Sequence, residues 1–296
     1  MQLFYGCATA LVTPFSDGRI DFTALEALLD RQIAAGIDAV VVLGTTGEPS
    51  ALNKEERRDV IACAAARLPR GRQLIVGAGA NDTRAAVARA EQAEALGADA
   101  LLVVTPYYNK ASAEGLRAHY LAIAGAVSLP IVLYNVPGRT GLNLTPELAA
   151  ELLSHPRIRG IKEASGDLGQ LMRLADLLSP DSALYAGNDA EVLPVLALGG
   201  RGVISVAANV VPEAMAALTR LWRAGEIEAC RCLQLRLLPL IRALFSEVSP
   251  IPVKAALALR GQIRNELRLP LCPLDEARTE RLRAILQTWE DFEAKE

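Results

Sequence analysis

Ala39-Val40-Val41-Val42-Leu43-Gly44-Thr45-Thr46-Gly47-Glu48-Pro49 is the stretch that decides the fold. Five apolar residues in a row read as a strand buried on both faces. The glycine- and threonine-rich string after them reads as a turn, and helix-spaced residues follow from about Lys54 to Arg67. A strand covered on both faces is parallel to its neighbours, and parallel neighbours are joined by crossovers, usually helical ones. One such unit therefore predicts further units on either side.

They are present. Upstream, a β-rich run from Gly6 to Pro14 precedes a helix over Phe22 to Ala35, closed by Gly36. Downstream, Leu74 to Gly77 precedes a helix over Thr83 to Leu96, and Ala100 to Val104 precedes one over Glu114 to Ala126. Ile131 to Tyr134 leads through a turn ending at Gly141 to a helix opened by Pro146, a residue suited to a first turn. An apolar run around Ile161 leads to a helix over Leu168 to Leu178, and Ala183 to Ala186 and Gly202 to Val206 complete eight strand candidates. The spacing predicts a (β/α)8 TIM barrel over residues 1–225. After Pro212 only helical patterns remain, over Glu213 to Arg223, Glu226 to Phe245, Pro252 to Gly261 and Asp275 to Glu293. Residues 226–296 are expected to form an appended helical segment packed on the barrel or on a neighbouring subunit.

Composition narrows the function. The 296 residues are 51% hydrophobic and 22% charged, which suits a globular chain rather than a disordered one. A net charge of −3 without long runs of one sign argues against nucleic acid as a partner. No run approaches the length of a membrane span, and the amino terminus lacks a signal pattern, so the chain reads as soluble and cytoplasmic, with no membrane partner. Five scattered cysteines show neither a disulfide framework nor zinc spacing and fit a reducing compartment.

In a barrel of this kind, chemistry belongs to the carboxyl ends of the strands. Here those ends carry Thr45 and Thr46, Tyr107 and Tyr108, Tyr134, Lys162, Gly187 with Asn188, and Ile204 with Ser205. No metal set and no glycine-rich dinucleotide loop is among them, so neither metal nor cofactor is expected. Lys162, in Arg159-Gly160-Ile161-Lys162-Glu163-Ala164-Ser165-Gly166-Asp167, ends an apolar run. A desolvated lysine lowers its pKa, and the neutral amine can attack a carbonyl carbon to form a Schiff base. The plainer alternatives are that Lys162 snorkels to water or pairs with Glu163 or Asp167. His119 and His155 fall in or beside helices and read as surface or capping residues.

Gly44-Thr45-Thr46-Gly47-Glu48, Thr105-Pro106-Tyr107-Tyr108-Asn109, Tyr134-Asn135-Val136-Pro137 with Arg139-Thr140-Gly141, Gly160-Ile161-Lys162-Glu163, Gly199 to Ser205 and Pro250-Ile251-Pro252-Val253-Lys254 occur in one order between about Phe4 and Pro273. In that order the chain resembles the dihydrodipicolinate synthase family of pyruvate-dependent, Schiff-base-forming aldolases and lyases, which includes N-acetylneuraminate lyase. The resemblance implies that Lys162 captures pyruvate as an imine, and that the derived enamine attacks L-aspartate 4-semialdehyde to give 4-hydroxy-tetrahydrodipicolinate. It implies a proton relay of Tyr134, Thr45 and Tyr108, with Tyr108 reaching into a neighbouring subunit's site. It implies binding of the pyruvate carboxylate by Thr46 and the backbone of Thr45, and backbone contacts from Gly187 and Ile204. Arg139 suits a bidentate grip on the semialdehyde carboxylate. The alternatives are a related pyruvate aldolase with another aldehyde or sugar-acid substrate, and a catalytically idle barrel serving as a scaffold.

The resemblance further implies a homotetramer built as a dimer of dimers, and places a lysine-inhibition cleft at Ser50, Lys54, Arg57, Asn81, Ala85 and Tyr107. Ala85 stands where lysine-sensitive members carry a glutamate that pairs with the effector's ammonium. Feedback by lysine is therefore expected to be weak or absent.

Overall fold

The computed structural model describes residues 2–293. Strand β1 (Gly6–Ala10) is followed by a two-stranded hairpin, β2 (Phe15–Ser16) and β3 (Arg19–Ile20), and by helix α1 (Phe22–Ala34). Then come β4 (Ala39–Val42), α2 (Lys54–Arg67), β5 (Gln73–Gly77), α3 (Thr83–Ala95), β6 (Ala100–Val104) and α4 (Ala113–Ala126). The chain continues through β7 (Ile131–Asn135), a single turn α5 (Pro137–Thr140), α6 (Pro146–Leu153), β8 (Ile158–Glu163) and α7 (Leu168–Leu177). β9 (Ala183–Ala186), α8 (Val192–Ala197), β10 (Gly202–Ser205) and α9 (Pro212–Arg223) complete the barrel, and α10 (Ile227–Leu244), α11 (Ile251–Leu259) and α12 (Glu276–Glu293) follow it.

The eight barrel strands close in the order β1-β10-β9-β8-β7-β6-β5-β4, every pairing parallel. The predicted architecture is therefore present. The hairpin, α5 and the short helix α8 between the last two barrel strands were not expected. The hairpin strands are two residues each, too short for a periodic signal, and α5 is one turn that reads in sequence as a loop.

Strand alternation sorts the core into two layers. Val40 and Val42, Leu101 and Val103, and Ile131 and Leu133 face the helices. Val41, Leu102, Val132 and Tyr134 face the barrel interior, which Phe4 and Tyr185 plug with stacked rings 4.4 Å apart. The Tyr185 hydroxyl donates to the Phe4 carbonyl at 2.6 Å, and burial pushes its pKa up. Side-chain caps begin α1, α2, α3, α4, α6 and α7. Asp21, Asp82, Ser112 and Asp167 each accept a backbone N–H in the first turn, and Asn53 and Glu56 form a capping box. Each cap lies in the loop between a strand's carboxyl end and the next helix, so the polar loops gather at one rim. Among the described residues, no helix is long and apolar enough to cross a membrane.

Candidate active site

Parity and register put the amine and the phenol together. On β8 Ile161 faces the helices, so Lys162 faces inward, and it pairs directly with inward-facing Tyr134 on β7. Lys162 is 4% exposed and Tyr134 6%, and the Lys162 Nζ lies 4.3 Å from the centre of the Tyr134 ring. The same parity turns Glu163 outward, away from the lysine. Its carboxylate accepts from Asn135 Nδ2 at 3.2 and 3.1 Å, from the Ser165 N–H at 2.7 Å and from Gln170 Nε2 at 3.3 Å. Asp167 is spent on the cap of α7, where it accepts from the Gln170 N–H. Snorkelling and both suggested carboxylate pairings are thus ruled out by geometry: the amine is buried, and both carboxylates are engaged elsewhere.

Lys162 and Tyr134 face a small cavity that also has Thr45, Thr46, Arg139 and Gly187 in its walls. An adjoining, larger cleft shares Thr45, Tyr134 and Arg139 and runs outward to Ser50, Arg89 and Tyr107. Thr45 and Thr46 sit on a 3-10 turn, Thr45–Gly47, bracketed by two non-glycine residues in left-handed conformation, Leu43 at φ 56° and Glu48 at φ 52°. Such residues cost on the order of 1–3 kcal/mol each and persist only where surroundings hold them. Arg139, on α5, is exposed at the cavity rim and donates to the Ser249 carbonyl at 3.3 Å. Gly187 is required for packing: a Cβ there would lie 2.5 Å from the Ala164 Cβ, and its N–H donates to the Glu163 carbonyl at 2.6 Å.

Six of the eight residues singled out from sequence thus line one cavity. Ile204 does not; it is fully buried in β10, and Val206 lines the wall in its place. Tyr108 also lies outside the cavity. It is 89% exposed with φ 76°, while its neighbour Tyr107 lines the outer cleft. His119 departs from its expected surface role. It is buried on α4 with Nδ1 2.9 Å from Thr83 Oγ1, and burial pushes its pKa down against an opposing effect of Asp82. His155 follows α6 and accepts from the Arg157 N–H at 3.2 Å.

Sequence reasoning missed Asp189, which is 1% exposed. Its Oδ2 accepts from the N–H groups of Val206 (3.1 Å) and Ala207 (2.9 Å), fixing the loop after β10. Burial pushes its pKa up, and its hydrogen bonds oppose the shift. It also missed Arg89, which donates to the Gly79 carbonyl at 2.6 Å. Neither residue belongs to a periodic pattern that would have flagged it.

A closed parallel barrel that buries a lysine amine against a phenol at the carboxyl ends of its strands defines an enzyme of the lysine-dependent barrel class. Comparison with known proteins narrows this. Residues 3–289 match the Dihydrodipicolinate synthetase family, and the chain belongs to that family. It is similar to the 4-hydroxy-tetrahydrodipicolinate synthases of Geobacter metallireducens (45% identical over 97% of this chain and 99% of that one) and Thermodesulfovibrio yellowstonii (46%, over 97% and 98%). The crystal structure of the Thermotoga maritima dihydrodipicolinate synthase superposes with a TM-score of 0.95 at 45% identity, covering 96% of this chain and 98% of that one.

Proposed function

We propose that this protein joins pyruvate to L-aspartate 4-semialdehyde through an imine on Lys162, giving 4-hydroxy-tetrahydrodipicolinate for diaminopimelate and lysine biosynthesis. The observation that carries the reading is the buried Lys162 amine facing Tyr134 across paired strands, in a chain of this family. The pyruvate carboxylate sits on the Thr45–Gly47 turn, against the Thr46 hydroxyl and the backbone of Thr45. Lys162 Nζ adds to the keto carbon and water leaves. The protonated imine withdraws electrons from the methyl group, which gives up a proton to form the enamine. The enamine carbon bonds to the aldehyde carbon of the semialdehyde, whose oxygen takes up a proton and whose carboxylate is held by Arg139. The substrate's own amine then displaces Lys162 and closes the ring, so one water is lost overall.

Tyr134, positioned by Thr45, moves the protons, joined by Tyr108 from a neighbouring subunit. Gly187 supplies a backbone group to the bound intermediate from the cavity wall, and the Ile204 backbone, which the resemblance also assigns, would reach it only from beneath that wall. These steps use no cofactor and no metal. The working form is a homo-oligomer in the cytoplasm, a tetramer of two tight dimers. Exposed Tyr108, and the exposed pair Leu168 and Met172 one turn apart on α7, support that assembly.

Borohydride added with pyruvate should fix one reduced pyruvate adduct on Lys162, read by mass spectrometry of the peptides. An unmodified Lys162 after that treatment sinks the imine. Aspartate semialdehyde should then outperform sugar acids and other aldehydes in a coupled assay, and the reverse preference would select the related pyruvate aldolase instead.

A further inference from the structure

Two of the strings that carry the family resemblance end on Glu48 and Lys254, residues with no part in the reaction as written above. They meet inside the protein. Glu48 Oε1 lies 2.6 Å from Lys254 Nζ, with Lys254 fully buried and Glu48 3% exposed. The second carboxylate oxygen accepts the Arg268 N–H at 3.1 Å. Phe15 covers the group: the Lys254 Nζ is 4.1 Å and the Arg268 guanidinium 4.5 Å from the centre of its ring. Arg268 is itself clamped by both oxygens of Glu56 (2.8 and 2.6 Å) and by the carbonyls of Ala51 and Gly18 (2.8 Å each).

A buried ion pair is a poor way to stabilise a fold, because desolvation cancels most of the attraction and an apolar pair of the same shape does as well. Its placement is what distinguishes this one. Glu48 directly follows the Thr45–Gly47 turn, is held at φ 52°, and its N–H donates to the Thr45 carbonyl at 3.2 Å. A left-handed backbone at a residue such as Glu48 persists only where its surroundings hold it, and its carboxylate is held by Lys254 and by the Arg268 N–H. Burial pushes the Lys254 ammonium down and the Glu48 carboxylate opposes this, so the lysine's charge depends on its partner. The same stretch of chain reaches the wall of the cavity, where the Ser249 carbonyl accepts from Arg139.

We infer that Glu48 and Lys254 are positioning residues for the carboxylate of the keto-acid substrate. Their ion pair sets the Thr45–Thr46 turn at the height where its hydroxyls and amides meet that carboxylate. The inference rests on the function proposed above, and it makes α11 part of the catalytic unit.

The test uses the full chain as wild type, Glu48→Gln, and the double variant Glu48→Gln/Lys254→Met, in which neither charge is stranded. Both variants should raise the KM for pyruvate by about tenfold or more with kcat changed by less than about threefold, since small displacements of a substrate-positioning group have effects of this order or larger. The pyruvate concentration that half-saturates borohydride trapping should rise in parallel. If the single variant does not fold, the double variant carries the test. Failure of the wild type to trap pyruvate at all overturns the proposed reaction. Trapping by the wild type together with an unchanged pyruvate KM in the folded variants, whatever their melting temperature, overturns the positioning role.

Discussion

Lys162 and Tyr134 share a register position on adjacent strands, and the reaction depends on that pairing. A phenol 4.3 Å from the amine, measured to its ring centre, can pass protons only through its hydroxyl. Tyr134→Phe keeps the ring and its packing and removes that hydroxyl. It should lower kcat by roughly 10²–10³, within the range for loss of a general acid–base group, while Lys162 still forms a trapped adduct at saturating pyruvate. A kcat within threefold of wild type would remove Tyr134 from the relay. Lys162 was legible in sequence because it ends an apolar run and because its neighbours match a family string. The freedom of its amine from Glu163 and Asp167 was not legible. That depends on which face each side chain takes, and a register shift between Ile131 and Val132 in the β7–β8 pairing precedes the region. Tyr108 shows the opposite case. Its string is easily read, yet in one subunit it stands outside the cavity.

At the scale of elements, the loop before α2 and the helix α3 line the outer cleft. Ala85, in the first turn of α3, presents a methyl group where an ammonium-binding carboxylate is expected in lysine-sensitive relatives. The cleft walls contain Arg89 and no acidic residue. Arg57 stands nearby, its guanidinium pushed below the usual value by burial and by the charge of Arg89. A second cation entering this space would meet repulsion and no partner, a loss on the order of several kcal/mol for an unpaired buried charge. Lysine at roughly tenfold above a 1 mM dissociation constant, the weak end of the affinity scale, should leave the rate unchanged. Inhibition at low millimolar concentrations would contradict this account. The long elements were all readable, because apolar runs and helix spacing carry their own signal. The hairpin and α5 were not, since each spans too few residues to set a period.

For the whole molecule, the barrel gathers a lysine, a phenol and an arginine around one cavity but leaves Tyr108 facing outward. If that residue serves a neighbour, defects in Tyr108 and Lys162 should complement each other. Chains carrying Tyr108→Phe, coexpressed with chains carrying Lys162→Ala, should recover activity up to about a quarter of wild type, because half of randomly paired dimers contain one intact site. Activity no higher than the mean of the two parents would place Tyr108 outside the reaction. The division between residues 1–225 and 226–296 follows the loss of strand signals, and both sides contribute to the site. The contact between Glu48 and Lys254 spans 206 residues, a pairing no local pattern reveals.

That separation also orders events during synthesis. A ribosome completes the last barrel strand at Ser205 well before it adds Lys254, and chains fold from the amino end as they emerge. Until Lys254 is in the chain, the Glu48 carboxylate lacks the cation it meets in the finished fold, so the contact beside the turn is among the last to be supplied in translation.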